Sequence, residues 1–229
     1  MFSNVRLVAA IAFALSGSYA LADDDTKPSD PNPPANVKID VARGDRWTYE
    51  YRDDLTDELK TITQYAVTDA TDSEIDTRAR VTNATTNSES HSVQVFDPHW
   101  RLKDSGVATY RPGLEHVGIP ADMQVGKAWS YTFEMSRINP PGNFKFAGKG
   151  KVDSWERVSV RNGLSFDAFK IEYTQSAIPV INNRKLEEHV VQWYAPSVNR
   201  WVKMIYESRQ NGKLLEATSM TLRDYQRHD

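Results

Sequence analysis

The sequence predicts an all-β, antiparallel fold in which two related units form one curved sheet, a half-barrel or a barrel-like structure. Three observations predict it: apolar and polar residues alternate with a period of two, turn signals recur at short intervals, and two segments repeat in the same order. Because each strand of such a sheet buries one face, the alternation also identifies residues of the core.

The alternation is clearest in the segments 46–52 and 128–134. In each segment, aromatic side chains occupy every second position, and polar or small side chains lie between them. Aromatic residues suit the pleated, half-buried surface of a strand. The predicted buried faces hold Trp47, Tyr49 and Tyr51 in the first segment and Trp129, Tyr131 and Phe133 in the second.

Turn signals separate the predicted strands. Asn211-Gly212 is the strongest hairpin signal in the chain, and it joins the predicted strands 200–209 and 213–224. Asn162-Gly163 is a second tight-turn pair, and 139–143 is a longer loop that contains Pro and Gly. Short strands at such spacing indicate a sandwich, a barrel or a strongly curved sheet.

Two segments return later in the chain in the same order. Residues 44–51 resemble 126–133, since both contain Gly-x-x-Trp, and residues 91–98 resemble 189–196, since both run from His to Pro. The offsets are about 82 and 98 residues, so the second copy contains roughly 16 extra residues. These fall within 134–188, where we expect a function that the duplication alone does not explain.

The repeat divides an all-β domain, residues 37–229, into units of about 37–113 and 114–229. Each unit holds only a few short strands, and a small isolated sheet buries too little apolar surface to be stable by itself. We therefore expect the two units to be halves of one sheet system rather than two separate domains.

The N-terminal segment predicts export. Residues 1–22 contain a basic residue, a short apolar run and Ala20-Leu21-Ala22, which is the pattern of a cleaved signal peptide and is too short and interrupted for a membrane span. Residues 23–36 are acidic and rich in Pro, which predicts a flexible linker. The chain has no cysteine, hence no lipid-attachment site and no disulfide. A periplasmic or secreted protein without a membrane span after cleavage is expected.

Charge differs between the two halves of the predicted mature chain. Residues 23–113 contain 11 Lys and Arg against 18 Asp and Glu, whereas residues 114–229 contain 16 against 13. This difference is typical of solvated hairpins that have diverged, and it also fits two faces of opposite charge that meet a charged partner. Neither half has the dense basic stripe of a nucleic-acid-binding protein, so we expect no nucleic-acid partner.

Three segments of the second unit carry a resemblance. Val125-Gly126-Lys127-Ala128-Trp129, Gly163-Leu164-Ser165-Phe166-Asp167-Ala168-Phe169-Lys170-Ile171 and Trp193-Tyr194-Ala195-Pro196 resemble the recurring vGk-W, G-x-F-x-a-x-K-I and W-Y-a-P strands of a group of exported bacterial β-sheet proteins of unknown function. The resemblance covers 124–225 directly and 42–104 only through the internal repeat. It implies the fold and no catalytic residues. Asn199 departs from the group, which has glycine there, so the turn after Pro196 is expected to differ.

Motifs for catalysis are absent from the sequence. There is no H-E-x-x-H zinc signature and no glycine-rich phosphate loop, so we predict no catalytic residue, no metal ligand and no cofactor. The acidic cluster Asp69, Asp72, Glu74 and Asp76 offers the oxygen ligands that calcium prefers but lacks the spacing of a calcium loop, which favours a solvated turn. His91 and His189 are equivalent in the repeat, and they either hold strands in place or meet to bind a metal or act as a base.

The aromatic residues supply the candidate ligand surface. Neighbouring residues of a strand point to opposite faces, so Trp193 and Tyr194 cannot both lie in the same layer. We expect one of them to face a ligand, in a concave surface that would stack on sugars or line a lipid-sized cavity. The predicted ligand-binding residues are Trp193, Tyr194, Trp201, Phe169, Ile171 and Tyr173.

These observations predict an exported, non-catalytic binding protein of the cell envelope, with an apolar or lipidic ligand slightly favoured. The alternatives are a module that binds a glycan or an envelope protein through exposed aromatic residues, and a hydrolase that uses carboxylates or histidine. A hydrolase requires at least two of His91, His189 and a carboxylate in one pocket.

Overall fold

The computed structural model describes residues 27–111, 119–138, 141–181 and 184–228, which form a closed barrel of twelve antiparallel strands. Each strand pairs with its neighbours along the chain, and β1 pairs with β12 to close the barrel. An all-β, antiparallel, barrel-like fold is therefore confirmed. The strands are β1 Arg46–Asp53, β2 Glu58–Ala70, β3 Ile75–Asn83, β4 Glu89–Phe96, β5 Leu102–Asp104, β6 Ala108–Arg111, β7 Ala128–Arg137, β8 Gly142–Ser159, β9 Ser165–Pro179, β10 Leu186–Ala195, β11 Arg200–Gln210 and β12 Lys213–Gln226.

The period of two decides which side chains point into the barrel. On β1, Trp47 and Tyr49 are fully buried, whereas Arg46 is exposed. Cross-strand partners lie on the same face, so Leu222 of β12, which is paired with Tyr49, is buried as well. On β1 and β12 the inner face therefore holds apolar residues that the alternation predicts.

The repeated segments occupy equivalent strands. Residues 44–51 lead into β1 and 126–133 into β7, while 91–98 contain most of β4 and 189–196 most of β10. Each half of the barrel thus holds six strands, with the matched segments on the first and the fourth. This placement agrees with two halves of one sheet system, and the duplication itself stays a prediction.

The entry to β1 and the entry to β7 have the same backbone geometry. Gly44 and Gly126 have φ of 101° and 90°, values that a residue with a Cβ rarely adopts. The Gly44 amide donates to the carbonyl of Val67 at 3.0 Å, and the Gly126 amide donates to that of Val152 at 2.8 Å. In both places a return hydrogen bond, of 2.9 and 2.8 Å, reaches the carbonyl of the residue after the glycine.

The end of the barrel where β1 begins is filled by large rings. Trp100 lies edge-on to Trp47, Phe96 and Trp201, with ring centroids 5.5, 5.3 and 6.1 Å apart. Trp100 has a φ of 59°, a backbone conformation that costs on the order of 1–3 kcal/mol. Its ring packing and a 2.8 Å hydrogen bond from its Nε1 to the Asn199 carbonyl hold it there.

The segment before β1 is attached to the barrel. The Ser29 amide donates to Asp167 Oδ1 at 2.9 Å, and Trp155 Nε1 donates to the Asp30 carbonyl at 2.9 Å. Arg157 bonds to the Ser29 hydroxyl and lies 3.3 Å from Asp167. The flexibility of residues 23–36 stays a prediction. The sequence did not predict that this segment is attached to the β8–β9 hairpin.

The predicted signal peptide, residues 1–22, and the linker residues 23–26 lie outside the described residues. Within the described part of the chain, no helix has the length and apolar character needed to cross a membrane.

Candidate binding groove

A shallow groove runs over the outer face of the barrel, across β7–β11. Its largest section has a volume of about 750 Å³, and two further sections of about 600 and 450 Å³ adjoin it along β7, β8 and β9. The groove is lined by small and hydroxyl side chains that alternate with the inward-facing rings of the same strands. These outward-facing residues are Ser130, Thr132, Ala147, Thr174 and Ser176.

Two glycines of β8 set the position of the groove floor. A Cβ on Gly150 would lie 2.4 Å from the Trp129 ring, and a Cβ on Gly148 would lie 2.7 Å from the Tyr131 ring. Only glycine permits this close approach, which places both rings flat against the inside of β8. Both glycines can be read from the sequence, but no sequence pattern identifies them as part of a groove.

Most charged side chains of the groove are paired. Arg209 lies 3.0 Å from Glu207 on β11, and Lys185 lies 3.2 Å from Glu187 at the start of β10. Lys149 is exposed at the junction of two groove sections and has no ion pair or hydrogen-bond partner among the described residues. Among the described residues, Lys149 is therefore the cation of the largest groove section that has no carboxylate beside it.

A hydrogen-bonded chain of inward-facing side chains connects the strands beneath the groove. Tyr131 donates its hydroxyl to Gln175 Oε1 at 2.8 Å, and Gln175 Nε2 donates to Glu188 Oε2 at 2.6 Å. Tyr206 donates to the other Glu188 oxygen at 3.1 Å. Burial, and then the Glu188 charge, raise the pKa of both tyrosines, so their hydroxyls stay protonated donors. The chain spans β7, β9, β10 and β11 and makes this wall of the barrel rigid.

All six predicted ligand-binding residues are buried. Phe169, Ile171, Tyr173 and Tyr194 have no exposed surface, and Trp193 and Trp201 are 8% and 9% exposed. Trp193 and Tyr194 do point to opposite faces, because Trp193 donates from Nε1 to Glu156 on the outside, whereas the Tyr194 hydroxyl reaches the buried Asn199. These six residues therefore present little or no surface to solvent, and their role in ligand binding stays a prediction.

Arg200 is the buried residue that the sequence reasoning missed. Its guanidinium is fully buried, with its centre 4.3 Å from the Trp100 ring centroid and 4.5 Å from that of Tyr65. Its Nε and Nη1 have no hydrogen-bond partner within the described part of the chain. Burial lowers the pKa of Arg200, and the charge is stabilised by ring faces in place of a carboxylate. The four remaining rings around it are those of Trp47, Tyr49, Phe96 and Trp201.

The two repeat histidines do not meet. His91 on β4 and His189 on β10 are separated by five strands in either direction around the barrel, and both point outward. The idea that they converge on one metal or substrate is therefore wrong. His189 lies in the groove near Glu187 and Glu207, with no hydrogen-bond partner among the described residues.

The acidic cluster lies at the β2–β3 turn. Glu74 forms an ion pair with Lys103, and Asp69 and Asp72 are exposed. Among the described residues, no group of three or more His, Asp or Glu side chains is arranged to hold a metal ion.

Asn199 lies in the turn between β10 and β11, where the resemblance led us to expect a different turn. Asn199 has a φ of 57°, so the glycine-like backbone is kept, which asparagine tolerates better than most residues. Its side chain also accepts a hydrogen bond from the Asp40 amide at 3.2 Å and donates to the Asp40 carbonyl at 2.7 Å. Asn199 therefore attaches the segment before β1 to this turn.

The chain matches no protein-family profile and no curated protein sequence. It does match solved structures. A candidate exported protein with a YmcC-like fold from Bacteroides fragilis aligns at a TM-score of 0.57 and 13% identity over 84% of this chain and 100% of that one. A candidate lipoprotein from Parabacteroides distasonis aligns at 0.56 and 12% over 85% and 100%. These two comparisons establish the fold. The hypothetical lipoprotein YmcC of Escherichia coli aligns at a TM-score of 0.44, with 9% identity over 81% and 89%.

Proposed function

We propose that this chain is an exported, non-catalytic binding protein of the cell envelope whose outer groove holds an extended ligand with negative charge. The signal-peptide pattern of residues 1–22 supports export, as do the exported protein and the lipoprotein that share the fold. The groove supports binding, because its three adjoining sections form a long depression that is open to solvent.

Lys149 is the observation that carries the proposal. Every other lysine or arginine of the largest groove section, namely Lys185 and Arg209, lies beside a carboxylate, and Lys149 does not. An acidic group of a ligand gains a charge-assisted hydrogen bond there without displacing an existing ion pair.

The rest of the groove suits an extended, polar molecule. Ser130, Thr132, Thr174 and Ser176 offer hydroxyl groups along three strands, and the groove is shallow over its whole length. A compact apolar ligand would bury little of its surface in such a groove, whereas a chain-like ligand contacts many positions in turn. The aromatic residues of β7, namely Trp129, Tyr131 and Phe133, alternate with the outward-facing Ser130 and Thr132, so they point into the barrel and do not offer a stacking surface on its outside.

The test measures binding of three polymers by isothermal titration calorimetry. The probes are polygalacturonate, polyglutamate and neutral dextran, which separate an acidic glycan from an acidic peptide and from a neutral sugar. We expect binding to one acidic polymer and at least about tenfold weaker binding by Lys149→Glu, the loss of roughly one charge-assisted contact.

Lys38→Glu is the matched control, because Lys38 is also an exposed lysine without an ion pair, and it lies outside the groove. Equal binding of dextran, or equal weakening by Lys38→Glu, would contradict the proposal. If only polyglutamate binds, the partner is a protein, and if only polygalacturonate binds, it is a glycan.

A second candidate retains the apolar ligand and places it inside the barrel. Met204 of β11 and Met220 of β12 are paired across the strands, face inward and are only half-buried, next to the half-buried Tyr206. Methionine adapts readily to irregular apolar ligands. Lipid extraction and mass spectrometry of the purified protein test this candidate. A lipid that is recovered with the native protein and lost in Met204→Gln supports it, and a protein purified without lipid contradicts it.

A further inference from the structure

Four exposed aliphatic side chains lie on neighbouring hairpin turns of the barrel, and we call them the tip patch. Val107 lies in the β5–β6 turn, Ile138 in the β7–β8 turn, and Val180 and Ile181 in the β9–β10 turn. Their exposed fractions are 54%, 66%, 52% and 92%. Single exposed aliphatic residues are ordinary, but a contiguous group on a protein surface marks an interaction site.

Backbone hydrogen bonds show that the three turns are joined. The Ile138 amide donates to the Val107 carbonyl at 2.8 Å, which connects the β5–β6 turn to the β7–β8 turn. The Val180 amide donates to the Asn143 carbonyl at 2.9 Å, which connects the β7–β8 hairpin to the β9–β10 turn. In an antiparallel barrel every second turn lies at the same end, so the patch is one continuous edge of the barrel.

The charges beside the tip patch are positive. The described residues at 137–142 and 179–186 include Arg137, Arg184 and Lys185 and no acidic residue. Arg184 and Lys185 are exposed, and Lys185 also lies 3.2 Å from Glu187. Asp104 of the β5–β6 turn uses one carboxylate oxygen for the Gly106 amide at 2.6 Å. Aliphatic side chains flanked by basic ones match an interface of apolar chains and anionic headgroups.

We propose that the tip patch docks onto the surface of an anionic lipid bilayer. Ile138, Val180 and Ile181, with Val107 at the edge, enter the headgroup region, and the exposed basic side chains at 184 and 185 lie at the level of the lipid phosphates. The proposal goes beyond the groove function. Its aliphatic residues do not line the groove section that contains Lys149, and Lys185 is the residue that the two surfaces share.

Vesicle flotation of the purified protein tests the proposal. One set of vesicles contains phosphatidylglycerol and phosphatidylethanolamine, and the other contains phosphatidylcholine alone. We expect the protein to float with the anionic vesicles, and the double variant Ile138→Asp, Ile181→Asp to bind about tenfold less, since two aliphatic side chains no longer enter the interface. We also expect Arg184→Glu to weaken binding and added salt to weaken binding of the native protein, because surface electrostatics are screened.

Val125→Asp is the matched control. Val125 is 47% exposed and lies in the β6–β7 connection, at the other end of the barrel. Thermal unfolding of each variant checks that the fold is intact, and this is expected because the changed side chains lie in solvent. The proposal is overturned if the protein ignores both kinds of vesicle or if Val125→Asp reduces binding as much as the double variant. It is equally overturned if Ile138→Asp turns a dimer into a monomer, since the patch would then be a protein interface.

Discussion

The two halves of the barrel begin in the same way and use that beginning differently. Trp47 follows Gly44 on β1, Trp129 follows Gly126 on β7, and the hydrogen bonds at the two glycines are equivalent. Trp47 is nevertheless fully buried, donates from Nε1 to the Val198 carbonyl at 3.1 Å and lies against the Arg200 guanidinium. Trp129 is half-buried and lies against Gly150 and, edge-on at 5.8 Å, against Tyr173.

At these two positions the local sequence determines the backbone conformation of the turn. The residues of the neighbouring strands determine whether the tryptophan that follows is fully or half-buried. In the first half, the repeated tryptophan fills the closed end of the barrel. In the second half, it supports the strand that carries Lys149. The second half also has the longest strands, β8 with 18 residues and β9 with 15, and both strands line the groove.

Alanine substitution of each tryptophan tests whether Trp47 and Trp129 contribute differently to stability. Trp47→Ala should lower the free energy of unfolding by about 3–5 kcal/mol, because it removes a fully buried ring and leaves a cavity beside Arg200. Trp129→Ala should lower it by about 2 kcal/mol, because that ring is partly solvated and its loss leaves less unfilled volume. Urea unfolding measures both variants. Equal losses would mean that the two halves do not differ in this way.

The barrel was predictable because its signals are local. Alternation at 46–52 and 128–134 and the Asn-Gly turns each depend on neighbours in sequence, and a strand with one buried face follows from them. The segment 134–188 contributes Ala147, Lys149 and Thr174 to the candidate groove, and a function of this segment stays a prediction.

The candidate site was not predictable in the same way. An alternating pattern of aromatic residues is the same for a buried core and for a ligand-binding surface. Only the closure of β1 onto β12 decides that Tyr194 and Phe169 lie inside the barrel. Lys149 looks like any surface lysine until the partners of Lys185 and Arg209 are known. Arg200 likewise reads as a solvated residue after a turn, because the rings around it come from distant parts of the chain.

Alanine substitutions also compare Gly150, which lies at the groove, with Gly44, which lies at a turn, and the expected effects are smaller. Gly150→Ala should lower the free energy of unfolding by about 1–3 kcal/mol, because its Cβ would lie 2.4 Å from the Trp129 ring. In the double variant with Trp129→Ala this penalty should largely disappear, since the overlapping ring is gone.

Gly44→Ala serves as the control, measured by the same urea unfolding. A Cβ at Gly44 meets no atom within 4 Å, so its cost comes from the φ of 101° alone and should be unchanged by Trp129→Ala. If the Gly150→Ala penalty persists without the Trp129 ring, the close approach is not its cause.

The smallest expected effect concerns a turn at which the two repeats differ. His99 follows Pro98 in the first copy, and Ser197 follows Pro196 in the second. Burial, and then the charge of Arg101, lower the pKa of His99, against the smaller opposing effect of Asp97. The unfolded chain therefore binds a proton more readily than the folded one, so the His99 contribution to stability is complete above the ordinary histidine pKa of about 6.5 and is lost as the pH falls below it. His99→Ser should make the melting temperature less sensitive to acidification between about pH 7.5 and 5. An unchanged pH dependence would show that protonation of His99 does not affect the stability of the folded chain.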